Sequence, residues 1–210
     1  MNQEDKNEIL SLSKDLGEAA IDSVLEDGIF KDIPIIGIGI SVIKLINSAS
    51  DRILLSKIIH FINDLNLKNQ DEIDEFKENY FKNHDYKKIG SKILLILERA
   101  DNLTKIEWLA KSLRLFVDNT IDKNQFLRIS SIINSAYTED VEHLTVFDQR
   151  SEITSTNDLI QSYILDHLFS VGLLESHGFD GGNVAGLNSG TIYALNKFGE
   201  LMKDKIVKTE

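Results

Sequence analysis

With no cysteine among the 210 residues, the side chains first in question for proton transfer or metal binding are histidine and carboxylate. That absence removes thiolate ligation, a cysteine nucleophile and any disulfide framework. The five histidines, His60, His84, His143, His167 and His177, are scattered. No His-Glu-x-x-His occurs, and no two histidines are spaced to share one face of a helix. His84-Asp85 and Glu142-His143 are sequence neighbours, which on a helix point in different directions, and no Gly-x-Ser-x-Gly elbow accompanies them. The spacing therefore predicts no catalytic residue, no metal ligands and no cofactor, and hence a protein that is not an enzyme.

Three other stretches invite a chemical reading and fail it. Gly37-Ile38-Gly39 begins like a dinucleotide fingerprint, but Val42 stands where the third glycine belongs. The glycine-rich stretch 178–186 lacks the Lys-Ser or Lys-Thr of a phosphate loop and precedes a strand pattern where that loop requires a helix. Counting back from Gln125 as the last ligand of a calcium loop puts Arg114 first and Asn119 where glycine is needed. Asp122 and Gln125 read instead as a helix cap.

The most unusual segment is residues 33–50, eighteen positions in which Lys44 is the only charge and Gly37, Gly39 and Ser41 are small. One reading is a central core helix whose glycines admit close neighbours. The other is a segment that enters or touches a membrane, or pairs with further copies of the chain, through Ile35, Gly37, Gly39, Ser41 and Lys44. A full span needs roughly 20 apolar residues, and this run turns polar from Asn47.

The elements that would position these residues are mostly helices. Proline occurs once, at Pro34, and glycine is sparse before residue 172. Apolar periodicity predicts an amphipathic helix over 7–27 and a long apolar helix at about 33–66. Capping pairs Asn69 with Glu72, Thr104 with Glu107 and Asp122 with Gln125 help place helices at 70–82, 86–100, 104–118 and 123–137, with another at 139–147. Trp108 falls among core positions of its helix. The polar run 149–157 reads as a linker, with Thr156 or Asn157 capping a helix over 158–170. A strand over 172–175, a glycine-rich wing over 177–190, a strand over 191–195 and a helix over 196–205 complete the chain. The expected fold is mainly α: a helical domain over 1–148 and a small winged-helix-like unit over 157–208 that carries a β-hairpin.

Such a unit would normally suggest DNA. Residues 157–190, however, contain no lysine or arginine and four acids, Asp158, Asp166, Glu175 and Asp180, within a chain of net charge −11. A phosphate backbone is repelled there, so nucleic acid is not an expected partner. Protein contact is the expected role instead, with Tyr163, Phe169 and Tyr193 as its candidate residues. Cations elsewhere, such as Lys57, Lys105, Lys111 and Arg114, have acids close in sequence and read as solvated helix faces.

Leu168-Phe-Ser-Val-Gly-Leu-Leu174, followed by Tyr193-Ala-Leu-Asn-Lys-Phe-Gly199, resembles the closing motif of winged-helix modules, with Asn196 in the place of the usual threonine. The same ending after an apolar N-terminal helix resembles prophage-borne, abortive-infection-associated proteins of the Abi-alpha type. That resemblance implies a bacterial or phage setting and a role in phage–host conflict, and it transfers no catalytic residue. Taken together, the expectation is a non-enzymatic helical effector or immunity protein. It would be cytoplasmic, self-associating and in contact with the inner membrane through residues 33–50. The alternative is a soluble regulator or adaptor whose winged end docks another protein.

Overall fold

The computed structural model describes residues 49–67, 69–82, 86–182 and 189–208. The expected helix over 7–27 and the apolar stretch from 33 to 48, with Ile35, Gly37, Gly39, Ser41 and Lys44, lie outside the described residues. The chain is mainly helical, with a small antiparallel sheet near its C-terminus. It divides into two compact units, Met1–Ser130 and Ser131–Glu210. Composition places the break later, at 149–157; the structure groups residues 131–148 with the C-terminal unit.

In the first unit, helices α1 (Ala49–Asp64), α2 (Gln70–Lys82), α3 (Tyr86–Arg99) and α4 (Leu103–Val117) are followed by α5, Lys123–Ser135, within which the division between units falls. Helix α1 packs mainly on α4 and also on α3, and α2 packs on α4. Buried side chains recur at helical spacing: Ile58 and Ile62 on α1, Ile89, Ile93 and Ile96 on α3, Ile106, Leu109 and Leu113 on α4. Trp108 is in this core, as expected.

Two caps form as read from the sequence. Gln125 N–H donates to Asp122 Oδ1 at 2.9 Å while Asp122 N–H donates to Gln125 Oε1 at 2.8 Å, a complete reciprocal box. Glu72 N–H donates to Asn69 Oδ1 at 2.9 Å. The third differs: α4 starts one residue early, and Asn102, not Thr104, is its cap, accepting from Lys105 N–H at 3.0 Å. Asparagine is the stronger cap, and it wins the competition two residues upstream.

Two cations expected on solvated faces are instead built into helix ends. Lys57 is 5% exposed, and its ammonium donates to the carbonyls of Glu98 at 3.0 Å and Ala100 at 2.7 Å, where α3 stops. Burial pushes the Lys57 ammonium below its ordinary value, against the opposing pull of Asp101 and Glu98. Arg114 of α4 donates to the Leu65 carbonyl at 2.8 Å and the Asn66 carbonyl at 3.2 Å, just past the end of α1. Asn66 there adopts a left-handed φ of 51°, which ends the helix. Tyr80 completes the set: its buried hydroxyl donates to the Tyr86 carbonyl at 2.7 Å, tying α2 to the start of α3.

The second unit runs α6 (Thr138–Glu142), a 3-10 turn (His143–Asp148), β1 (Glu152–Thr154), α7 (Ser162–Ser170), β2 (Leu174–Asp180), β3 (Gly190–Leu195) and α8 (Lys197–Leu201), which continues as a π turn over Met202–Val207. The helix expected over 139–147 is thus one α turn followed by a 3-10 segment. The presumed linker holds a strand, and Ile153 within it is buried. Strand order is β1-β3-β2, with Ile153 opposite Tyr193 and Leu174 opposite Leu195. Strand β2 reaches Asp180, beyond the expected 172–175, and is exposed from Glu175 onward, as a wing is. Residues 183–188 of the expected wing loop lie outside the described residues. Asn157 caps a turn, taking Leu159 N–H at 2.6 Å and Ile160 N–H at 2.9 Å, so α7 begins only at Ser162.

Asn196 is the joint of this unit. Its side-chain oxygen accepts from Phe198 N–H at 2.9 Å and Gly199 N–H at 3.0 Å, capping α8, while its amide nitrogen donates to the carbonyls of Gly172 at 3.0 Å and Leu174 at 3.1 Å. Threonine could cap but could not bridge two carbonyls, which gives the departure from the usual motif a physical reason. Gly199 permits the close approach: a Cβ there would sit 2.1 Å from the Leu173 carbonyl oxygen. Asn196→Thr, which keeps the cap, is expected to cost about 1 kcal/mol in a urea melt, and Asn196→Asp, which sets a carboxylate against two carbonyls, roughly 2–3 kcal/mol. Equal stability of Asn196→Asp and the parent chain would refute the bridging role.

Candidate functional site

Helix α7 is amphipathic in an uneven way. Ile164, Leu165 and Leu168 are buried, and the opposite face exposes Tyr163, Asp166 and Phe169, three residues apart and therefore neighbours along the surface. Tyr163 is 61% exposed and Phe169 45%. Two large rings are thus left in water on one helix, as Tyr137 and Phe179 are elsewhere in this unit.

Tyr193, expected as a third contact residue, is buried at 5% and supports the face from beneath. Its hydroxyl donates to Asp166 Oδ1 at 2.7 Å, and its ring lies against Phe169, centroids 5.6 Å apart at a tilt of 51°. Burial and the Asp166 carboxylate both raise the Tyr193 phenol above its ordinary value, so it stays a donor. Asp166 is the member that sequence reading missed as a site residue. Its signal was present, since positions 163, 166 and 169 share one stripe, but only the aromatic members stood out.

Two further polar contacts tie α7 to α6 and the 3-10 turn to the closing turn of the chain. His167 Nδ1 meets Asp140 Oδ2 of α6; an ionised carboxylate only accepts, so the ring nitrogen carries the proton. A carboxylate orienting a histidine is half of a nucleophilic triad, but the nearby Ser170 hydroxyl donates to the His167 carbonyl at 2.8 Å and is committed to the backbone. Asp148, at the end of the 3-10 turn, takes ammonium groups from Lys203 and, at 2.9 Å, Lys208. These contacts pull its carboxyl below the ordinary range and raise Lys203.

The sheet carries a further group of titratable side chains. His177 sits at the irregularity where β2 slips against β3, between Ser176 and Gly178. Its Nδ1 meets Glu152 Oε1 of β1 at 2.7 Å and its Nε2 meets Glu175 Oε1 of β2 at 3.1 Å. Both carboxylates neighbour Ala194 in register, so the histidine bridges the two outer strands across β3. The two ring nitrogens aim apart, so the carboxylates do not converge on one point as metal ligands must. Among the described residues no group of three or more histidines and acids is arranged to hold a metal ion, and no helix is long and apolar enough to cross a membrane.

No family model, curated protein or solved structure matches this chain.

The hydrogen bonds to Glu152 and then Glu175 hold the His177 imidazolium above its ordinary value of 6.5. A base raised in the folded state contributes stability that is fully present below 6.5 and fades as pH climbs through the raised value. An NMR titration of the His177 ring should show a midpoint above 6.5, and Glu152→Gln should lower it more than Glu175→Gln. A midpoint unmoved by both changes would dissolve the bridge.

Proposed function

We propose that the protein is a non-enzymatic interaction module whose winged-helix-like end docks another protein through the exposed face of α7. One observation carries this reading: where a DNA-reading helix presents cations and polar donors, α7 presents Tyr163, Asp166 and Phe169. Aromatic rings are enriched at the centres of protein interfaces, because they bury much area at little entropic cost. A duplex finds no cation on residues 157–190 to release its counterions. A photo-crosslinking residue at Tyr163 of the full chain, in the cells that make it, should yield a discrete protein adduct that Phe169→Ala removes and that the same group at Glu139 does not form. Retention of duplex DNA at about 50 mM salt, lost as salt rises, would reverse the reading.

A second reading rests on residues 33–50, whose single charge in eighteen positions needs cover from water. In it the chain is an effector or immunity protein of phage–host conflict, consistent with the resemblance of its closing motif. Self-association and contact with the inner membrane run through Ile35, Gly37, Gly39, Ser41 and Lys44. Flotation with anionic vesicles and sedimentation of the full chain test it. Gly37→Leu should disrupt the assembly, and a monomer indifferent to vesicles ends the idea.

A further inference from the structure

Given the docking reading of α7, on which this inference rests, the geometry points to an arginine-bearing protein segment as the occupant, its guanidinium on Asp166 and between the rings of Tyr163 and Phe169. Asp166 stands three residues after Tyr163 and three before Phe169, so both rings flank the carboxylate along one surface stripe of α7. Tyr193 holds that carboxylate in place through Oδ1. A carboxylate accepts from about four directions, and the phenol takes one. What remains is a fixed anion with an exposed ring on either side.

That combination selects a cation. The ring faces attract one by their quadrupoles, and the carboxylate pairs with it directly. Arginine fits better than lysine, because its planar guanidinium stacks on rings and forks onto a carboxylate at once. The sequence around the helix is acidic: residues 157–190 contain no lysine or arginine, while Asp158, Glu175 and Asp180 add negative charge. His167, the titratable neighbour in sequence, is turned to Asp140. The complementary partner is therefore basic, and its docking weakens as salt rises.

The test is an NMR titration of the isotope-labelled full chain with a glycine–serine peptide carrying spaced arginines, and with its neutral citrulline counterpart. Saturable shifts centred on Tyr163, Asp166, Phe169 and Tyr193 are expected with the arginine peptide, and none with citrulline. Asp166→Asn, at an exposed position, should weaken binding about tenfold, and Phe169→Ala comparably, while the control Asp180→Asn changes it less than about twofold. Shifts spread over the whole acidic surface, or an equal effect of Asp180→Asn, would overturn the inference by showing diffuse charge attraction. So would the same shifts arising on concentration of the protein without peptide, which would give the face to a second copy. Absence of arginine binding alongside a persisting Tyr163 crosslink would overturn the inference and leave the docking reading standing; loss of both would remove both.

Discussion

A helix that stops inside a packed protein leaves carbonyls with no partner, and each such group costs free energy unless something donates to it. This chain answers that demand with side chains brought from far along the sequence. Lys57 closes the end of α3 across more than 40 residues, and Arg114 closes the end of α1 across a similar span. Each cation also meets the negative end of a helix dipole, so charge and hydrogen bonding act together. In the C-terminal unit a neutral group, the Asn196 amide, serves the carbonyl of Gly172 just past the end of α7 and that of Leu174 at the start of β2. Helix packing and helix termination are thus one interaction in this fold.

That coupling explains which parts of the structure were readable in advance. Among the described residues, the helices from Gln70 to Ser135 followed from apolar periodicity, and the caps Asp122–Gln125 and Asn69–Glu72 were visible because their partners are three residues apart. Lys57 was not, since its carbonyl partners belong to another helix and its neighbours in sequence suggested a solvated face. Strand β1 was hidden for a different reason: three residues in a polar run carry no usable alternation, and only their pairing with Ile192, Tyr193 and Ala194 of β3 makes them a strand. The face of α7 was half legible. Its rings could be named from sequence, but whether Tyr193 was surface or support depended on burial, and Asp166 gained meaning only from the phenol beneath it.

The C-terminal unit spends its polar contacts on position. Asp140 with His167 fixes α7 to α6, Asp148 with Lys203 and Lys208 fixes the closing turn, and His177 spans the sheet between Glu152 and Glu175. Each joins elements separated in sequence. With its buried side anchored by Leu165 and Leu168, α7 has little freedom to turn its aromatic face inward. A rigid display of this kind lowers the ordering cost of binding.

Topology and charge point in opposite directions here. The order β1-β3-β2, with a helix before a long hairpin, is the frame on which winged-helix proteins present a recognition helix to a duplex. Fold alone does not carry that activity, because groove binding draws its affinity from phosphate neutralisation. A helix bearing a carboxylate between two rings offers a phosphate backbone no cation to pair with. The features that disfavour a polyanion, a negative charge and exposed aromatic area on a stretch without lysine or arginine, are the ones on which the proposed guanidinium contact rests. Substitution on the helix surface, leaving Leu165, Leu168 and Asn196 untouched, would be enough to move such a frame from nucleic acid to protein.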